Sequence, residues 1–275
     1  MFSHWQTPFV GLPELRSRLA ELDRVVVAFS GGADSALLAW AATDVLGADR
    51  VLAVTAVSPS LAPEEEADCA ALAAEWGLRW RAVATDELAD PAYAANDGDR
   101  CYHCKQELLA VVGPLAEAER ATVALGVNVD DLGDHRPGQR AAAEAGAVFP
   151  LVEAGLTKDD VRRISREQGL RTWDKPAAAC LASRVPYGTP VTFRVLDEVA
   201  RAESGLRRLG FRALRVRHHG DLARIEVPLD DLAVVVERRE DVVAAVRAAG
   251  YRSVTLDLEG FRSGNLNQAL LRETS

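Results

Sequence analysis

Several features that would place a protein quickly are missing from this sequence. No run of eighteen apolar residues occurs. A bilayer-crossing helix needs about 20, so no membrane span is expected. Positive charge is in deficit: 32 Lys and Arg against 41 Asp and Glu leave a net charge of −9. Nucleic-acid binders carry a basic face, so no nucleic-acid partner is expected. Cysteine is scarce, four in 275 residues. The opening stretch, MFSHWQTPFVGL, has no basic segment followed by an apolar one. No secretory leader is therefore read, and a cytoplasmic location is expected. In that compartment thiols serve metals or catalysis more often than disulfides. Internal repeats and low-complexity segments are absent as well.

The organising stretch is Val25-Val26-Val27-Ala28-Phe29-Ser30-Gly31-Gly32-Ala33-Asp34-Ser35. A short β-branched apolar run reads as a buried strand. It ends in a Ser-Gly-Gly turn, and an amphipathic helix follows. Glycines let backbone N–H groups approach an anion with no Cβ in the way. The helix N-terminus presents further donors and partial positive charge. The spacing is not G-x-G-x-x-G, and no Lys follows the glycines as in GxxxxGK[ST]. SGGADS instead resembles the PP-loop of ATP pyrophosphatases, which split ATP between its α and β phosphates.

Further strands are expected at 50–57, 78–83 and 121–127, separated by helices at 63–76 and 101–119. This alternation predicts a parallel sheet, with ligands beyond the carboxyl ends of its strands. Asn128-Val129-Asp130-Asp131 lies at such an end. Ala147–Leu151 reads as a short strand and Thr157–Gly169 as a helix capped by Thr157 with Asp160 three residues on. From Thr192 the pattern changes to helix, two short strands, two helical segments and a strand. The fold class expected is α/β, a parallel sheet flanked by helices, in a domain spanning 1–188. A smaller α+β domain follows over 189–275.

Cys101-Tyr102-His103-Cys104 is a CxxC at a helix start, and Cys180 sits in KPAAACLASR. Three thiolates can hold an Fe–S cluster with one iron open, or zinc with a fourth ligand. His103 and His135 are candidates for that ligand. Cys69, inside the amphipathic 63–76 segment, reads as a small buried residue.

SGGADS at 30–35, NDGDRCYHCK at 96–105, GVNVDDLGDHRPG at 126–138, KPAAACLASRVPYGTPVT at 175–192 and VTLDLEGFRSGNLN at 254–267 together resemble the LarE family. These are ATP-dependent sulfur transferases in the synthesis of the nickel-pincer nucleotide cofactor of lactate racemase. The resemblance runs in order over nearly the whole chain. It implies that ATP adenylates the carboxylates of a pyridinium-3,5-dicarboxylate mononucleotide. Sulfur then displaces AMP to leave thiocarboxylates. It implies that Cys180 delivers the sulfur, either from its own side chain or, with Cys101 and Cys104, from a [4Fe-4S] cluster. The CxxC places the chain in the cluster branch. A sulfur donor and a homo-oligomer, hexameric by resemblance, are also implied.

Ser30, Gly31, Gly32 and Ser35 are the candidates for ATP phosphate oxygens. Asp34 is the candidate for approaching Mg2+. Asp130 and Asp131 either assist it or cap the following turn. A mononucleotide brings a phosphate and two carboxylates, so its pocket needs cations, and Arg forks match phosphate oxygens. Arg184, Arg215, Arg217 and Arg262 are the candidates. Arg215 and Arg217 alternate on a strand and share a face. Glu203 and Glu226 resemble acidic residues near that site. Competing readings are a PP-loop tRNA thiolase, an amidating ligase, and an Fe–S or ATP-binding carrier without turnover. The acidic balance disfavours the first, and the second leaves the cysteines without a role.

Overall fold

The structure is a computed structural model that describes residues 11–133, 137–176 and 179–262. In chain order the elements are α1 (Leu12–Ala20), β1 (Val25–Ala28), α2 (Ala33–Leu46), β2 (Val51–Val57), α3 (Pro63–Trp76), β3 (Trp80–Ala84), α4 (Pro91–Ala94), α5 (Arg100–Glu119) and β4 (Thr122–Leu125). They continue with α6 (Pro137–Glu144), α7 (Pro150–Glu153), α8 (Lys158–Glu167), α9 (Phe193–Arg208), β5 (Arg215–His219), β6 (Leu222–Glu226), α10 (Leu232–Glu237), α11 (Arg239–Ala248) and β7 (Ser253–Leu256).

The chain forms two compact units. The first takes the chain up to Val57 with Glu64–Thr85 and Cys101–Ala178. Its sheet is parallel throughout, in the order β3-β2-β1-β4, with Val25 opposite both Val51 and Thr122. The central strand explains why Val25–Ala28 is apolar without alternation. Val25 and Val27 enter a core with Leu15, Leu37 and Leu38, whereas Val26 enters another with Leu108 and Val112. A parallel strand covered on both faces has no solvent side on which to place polar residues. The α/β architecture with helices flanking a parallel sheet is as expected.

β1 has β2 on one side and β4, much later in the chain, on the other. Strand order reverses there, which is where α/β sheets open a crevice for ligands. Local signals placed the helices well: α3 has the bounds expected, and α8 starts from the full capping box of Thr157 and Asp160. One element differs. Ala147–Leu151 makes only an isolated bridge between Val148 and Ala124, and helix α7 begins at Pro150. Proline has no N–H for a ladder but suits a first helical turn.

The second unit takes Ser58–Pro63, Asp86–Arg100 and the chain from Ala179. Residues 179–188, assigned to the first domain from sequence, therefore cluster with the later elements. Its sheet runs β5-β6-β7, with β5 and β6 antiparallel and β6 and β7 parallel. Leu206, Val216, Ile225, Val242 and Val246 fill its core. Among the described residues no helix is long and apolar enough to cross a membrane.

Candidate active site

In the first unit, β1 runs directly into the glycine turn. Gly31 has φ 67°, and a Cβ on it would lie 2.9 Å from Cys69 Sγ. Both backbone conformation and space therefore require glycine here. Gly32 stands at the N-cap of α2 without a side-chain cap. Ser35 Oγ closes the turn: it accepts the Ser30 N–H at 3.2 Å, lies 3.0 Å from Ser30 Oγ and reaches the Gly32 carbonyl at 3.2 Å. The four candidate phosphate residues thus belong to one small cradle at the helix N-terminus, an arrangement suited to an anion.

The end of β4 presses on the same turn. A Cβ on Gly126 would lie 2.6 Å from Ser35 N and 2.9 Å from Asp34 C. This close approach brings Asn128 to Asp34, whose carboxylate accepts the Asn128 amide at 2.9 Å. Asn128 and Asp131 bond each other reciprocally, both contacts at 3.3 Å. The pKa of Asp34 is raised, first by burial and further by the negative charge of Asp131, against the opposing effects of Asn128 and Lys158. A buried carboxylate beside a second acidic side chain and a phosphate cradle is chemistry that suits a divalent cation. Asp130 is engaged differently. Its Oδ2 accepts the Lys158 N–H at 2.8 Å, so it caps the start of α8.

Sequence reasoning missed Lys175. Its Nζ would stand 3.6 Å from a Cβ on Gly31, held by Asp68 at 2.6 Å and Glu65 at 2.8 Å. Burial alone would lower its pKa, but the two carboxylates outweigh it and the pKa is raised. The loop has no lysine of its own, and this one reaches it from a remote segment that no local pattern connects to it.

None of the four cysteines forms a disulfide. Cys69 is fully buried, and burial pushes its thiol pKa up, as a packing role requires. Cys101 and Cys104 lie three apart in the first turns of α5 and so share a helix face. Cys101 and Cys180 are exposed. Accessible thiols suit an iron–sulfur cluster as donors. Among the described residues, however, no three His, Cys, Asp or Glu side chains form a group able to hold a metal ion. His135 lies outside the described residues.

The remaining candidates form a polar network in the second unit. Arg184 is buried, and its fork grips Glu203 with Nε–Oε1 at 2.8 Å and Nη2–Oε2 at 3.1 Å. Its Nη1 donates to the carbonyls of Ala179 at 2.6 Å and Cys180 at 3.1 Å. Glu203, fully buried, also accepts Arg207 and the Val216 N–H, each at 3.0 Å. Arg217 grips Glu226 at 2.9 and 3.0 Å and donates to the Ser183 carbonyl at 2.8 Å. Two of the four arginines are therefore neutralised by the two glutamates and hold the backbone around Cys180.

Arg215 stands apart. It is 6% exposed, and its register partner across the sheet is Glu226, yet that carboxylate turns to Arg217 and Arg224. Among the described residues Arg215 stands over the Phe261 ring at 4.7 Å, donates to the Arg262 carbonyl at a long 3.4 Å and makes no ion pair. Burial, then repulsion from Arg184 and Arg217, brings its pKa down to about 10. A buried guanidinium without a carboxylate is costly unless an anion completes it. The Arg262 side chain pairs with Glu259. The sequence paired Arg215 with Arg217 on one strand face; in the structure Arg217 is held by Glu226 and Arg215 is not.

Residues 14–107 match the NAD synthase family. The chain is 48% identical over 264 residues to an uncharacterised protein of Synechocystis sp., covering 95% of this chain and 98% of the relative. It is 40% identical over 259 residues to the pyridinium-3,5-bisthiocarboxylic acid mononucleotide synthase of Lactiplantibacillus plantarum, covering 94% of each. An uncharacterised protein of Methanocaldococcus jannaschii is 26% identical over 241 residues, covering 87% of this chain and 91% of the relative.

Proposed function

This chain belongs to the pyridinium-3,5-bisthiocarboxylic acid mononucleotide synthase family, and on that premise we propose that it is an ATP-dependent sulfur transferase acting on the carboxylates of a pyridinium-3,5-dicarboxylate mononucleotide. The product would serve the nickel-pincer nucleotide cofactor of lactate racemase. A carboxylate is a poor electrophile because its charge repels nucleophiles. In the reading proposed, a substrate carboxylate oxygen attacks the α-phosphorus of ATP and pyrophosphate leaves. Sulfur then attacks the carboxyl carbon, and AMP departs with the original carboxylate oxygen. The same pair of steps converts the second carboxylate.

In this reading each residue of the two sites has its own role. Ser30, Gly31, Gly32 and Ser35 bind phosphate oxygens, where backbone donors stabilise the departing pyrophosphate. Asp34, with Asp131 beside it and Asp130 at the neighbouring helix start, would hold Mg2+, which neutralises phosphate charge when bound. Arg215 takes the phosphate of the mononucleotide, with Arg262 next to it. Arg184, Arg217, Glu203 and Glu226 shape that pocket. Cys180 delivers sulfur. Cys101, Cys104 and Cys180 are proposed as ligands of a [4Fe-4S] cluster on the family resemblance, and the cluster when bound would supply an open iron; among the described residues they do not already form a metal-holding group.

The observation that carries this reading is Arg215: a buried cation that makes no ion pair among the described residues, within the network that also grips the loop of an exposed thiol. The test is turnover. With Mg-ATP, the dicarboxylate mononucleotide and a sulfur source, the protein should release AMP and pyrophosphate and form thiocarboxylate. ATP cleavage that ignores the mononucleotide would refute the substrate, and no cleavage at all would refute the enzyme reading.

A further inference from the structure

Cys180 is exposed, yet the backbone on either side of it is tied down by buried polar groups. Leu181 N–H donates to the Ser60 carbonyl at 2.8 Å, and the Ser60 hydroxyl lies 2.6 Å from Tyr93 Oη. Further along, the carboxamide of Asn96 donates to the carbonyls of Pro186 and Thr189, both at 2.8 Å. The Asn96 backbone carbonyl accepts the Gly188 N–H at 3.2 Å. Asn96 is fully buried and has φ 61°. That left-handed conformation is uncommon outside glycine, and asparagine is among the few residues that tolerate it. Arg100, 3% exposed, donates to Asn96 Oδ1 and, at 2.9 Å, to the Ala182 carbonyl. All these segments belong to one compact unit.

We propose that Asn96 and Arg100 are positioning residues for Cys180: their buried side chains lock the 181–189 backbone in one conformation, which fixes where the Cys180 sulfur stands during sulfur delivery. The proposal rests on the reading that Cys180 delivers sulfur. The physical reason is preorganisation. A sulfur atom must reach a carboxyl carbon in a narrow range of position and angle, and a misplacement of about 1 Å can lower a rate on the order of a hundredfold. Apolar packing would hold this loop without desolvating an amide and a guanidinium. Directional hydrogen bonds select a single arrangement where apolar contacts allow several. Neither side chain needs to touch the substrate.

The test compares Asn96→Gly and Arg100→Lys with the unaltered protein. Glycine keeps the left-handed backbone and deletes only the carboxamide. Lysine keeps one donor and loses the fork. With Mg-ATP and the dicarboxylate mononucleotide, both variants should adenylate the substrate and release pyrophosphate in a single turnover at near the original rate. Thiocarboxylate formation should fall on the order of a hundredfold. Hydrogen exchange should speed up in the 181–191 segment and stay unchanged in α9 and β6. Equal loss of both half-reactions, or full sulfur transfer with a deprotected loop, would overturn the proposal. If the unaltered protein makes no AMP, the functional reading fails; unchanged protection of 181–191 in Asn96→Gly then overturns the clamp by itself.

Discussion

Arg215→Met should make the protein more stable and less able to bind its substrate. Burial, with Arg184 and Arg217 nearby, holds the guanidinium well below its ordinary value, at about 10. At about 1.4 kcal/mol per tenfold change, its charged form is disfavoured in the fold by roughly 3 kcal/mol. The sign follows from linkage: a base whose folded pKa is depressed binds its proton less tightly in the fold than in the unfolded chain. The penalty is fully present below pH 10 and so at neutral pH. Methionine fills similar apolar space and removes the charge. It forfeits the contact with Phe261, worth about 0.5–1 kcal/mol. The net gain expected is about 2–2.5 kcal/mol, a rise of several degrees in Tm for a chain of this size. Binding should move the other way. Hydrogen bonds to a charged group contribute about 1.5–3 kcal/mol, so Kd for the mononucleotide should rise about 10- to 150-fold. Thermal unfolding and titration calorimetry on the same preparation check both. A variant with lower Tm and unchanged Kd would refute the assignment of Arg215 as an anion site and make it a structural residue.

Three further outcomes follow from other parts of the molecule. Cys180→Ala should abolish thiocarboxylate formation while AMP still forms on the acceptor; loss of adenylation in a folded variant would overturn the division between activation and sulfur delivery. Gly126→Ala places a Cβ 2.6 Å from Ser35 N, so it should lower stability by about 1–3 kcal/mol and raise the KM for ATP, checked by denaturation and by initial rates against ATP. Hydrogen bonds from Arg79 and Arg24 hold Glu119 at about 2 against the usual 4.5. Its stabilisation is present above pH 4.5 and is lost as pH falls toward 2, so Glu119→Gln should flatten the acid side of the stability curve; an unchanged acid slope would count against the pairing.

What was legible in the sequence was local. Val25–Ala28, the glycine turn and the Thr157 cap announce themselves because strand burial, positive φ and capping are each set within a few residues. The fold class followed from their alternation. The PP-loop and CxxC were equally visible. What could not be read was how charges are shared in three dimensions. Arg215 and Arg217 share a strand face in the string, but the string does not tell that Glu203 grips Arg184 and Glu226 grips Arg217, while Arg215 makes no ion pair among the described residues. Lys175 beside Gly31, and Asn96 holding Pro186 and Thr189, join segments far apart in the chain. Sequence carried each partner but not the pairing. The 147–151 strand failed for a local reason that was present, Pro150, outweighed in the reading by a run of apolar neighbours.

The most direct test of sulfur transfer through an adenylated carboxylate is an isotope measurement. The dicarboxylate mononucleotide, labelled with 18O in its carboxylates, is turned over once with Mg-ATP and a sulfur source, and AMP is examined by mass spectrometry. The account predicts 18O in AMP and sulfur in place of the lost oxygen in the product. AMP released without 18O, alongside thiocarboxylate, would contradict it.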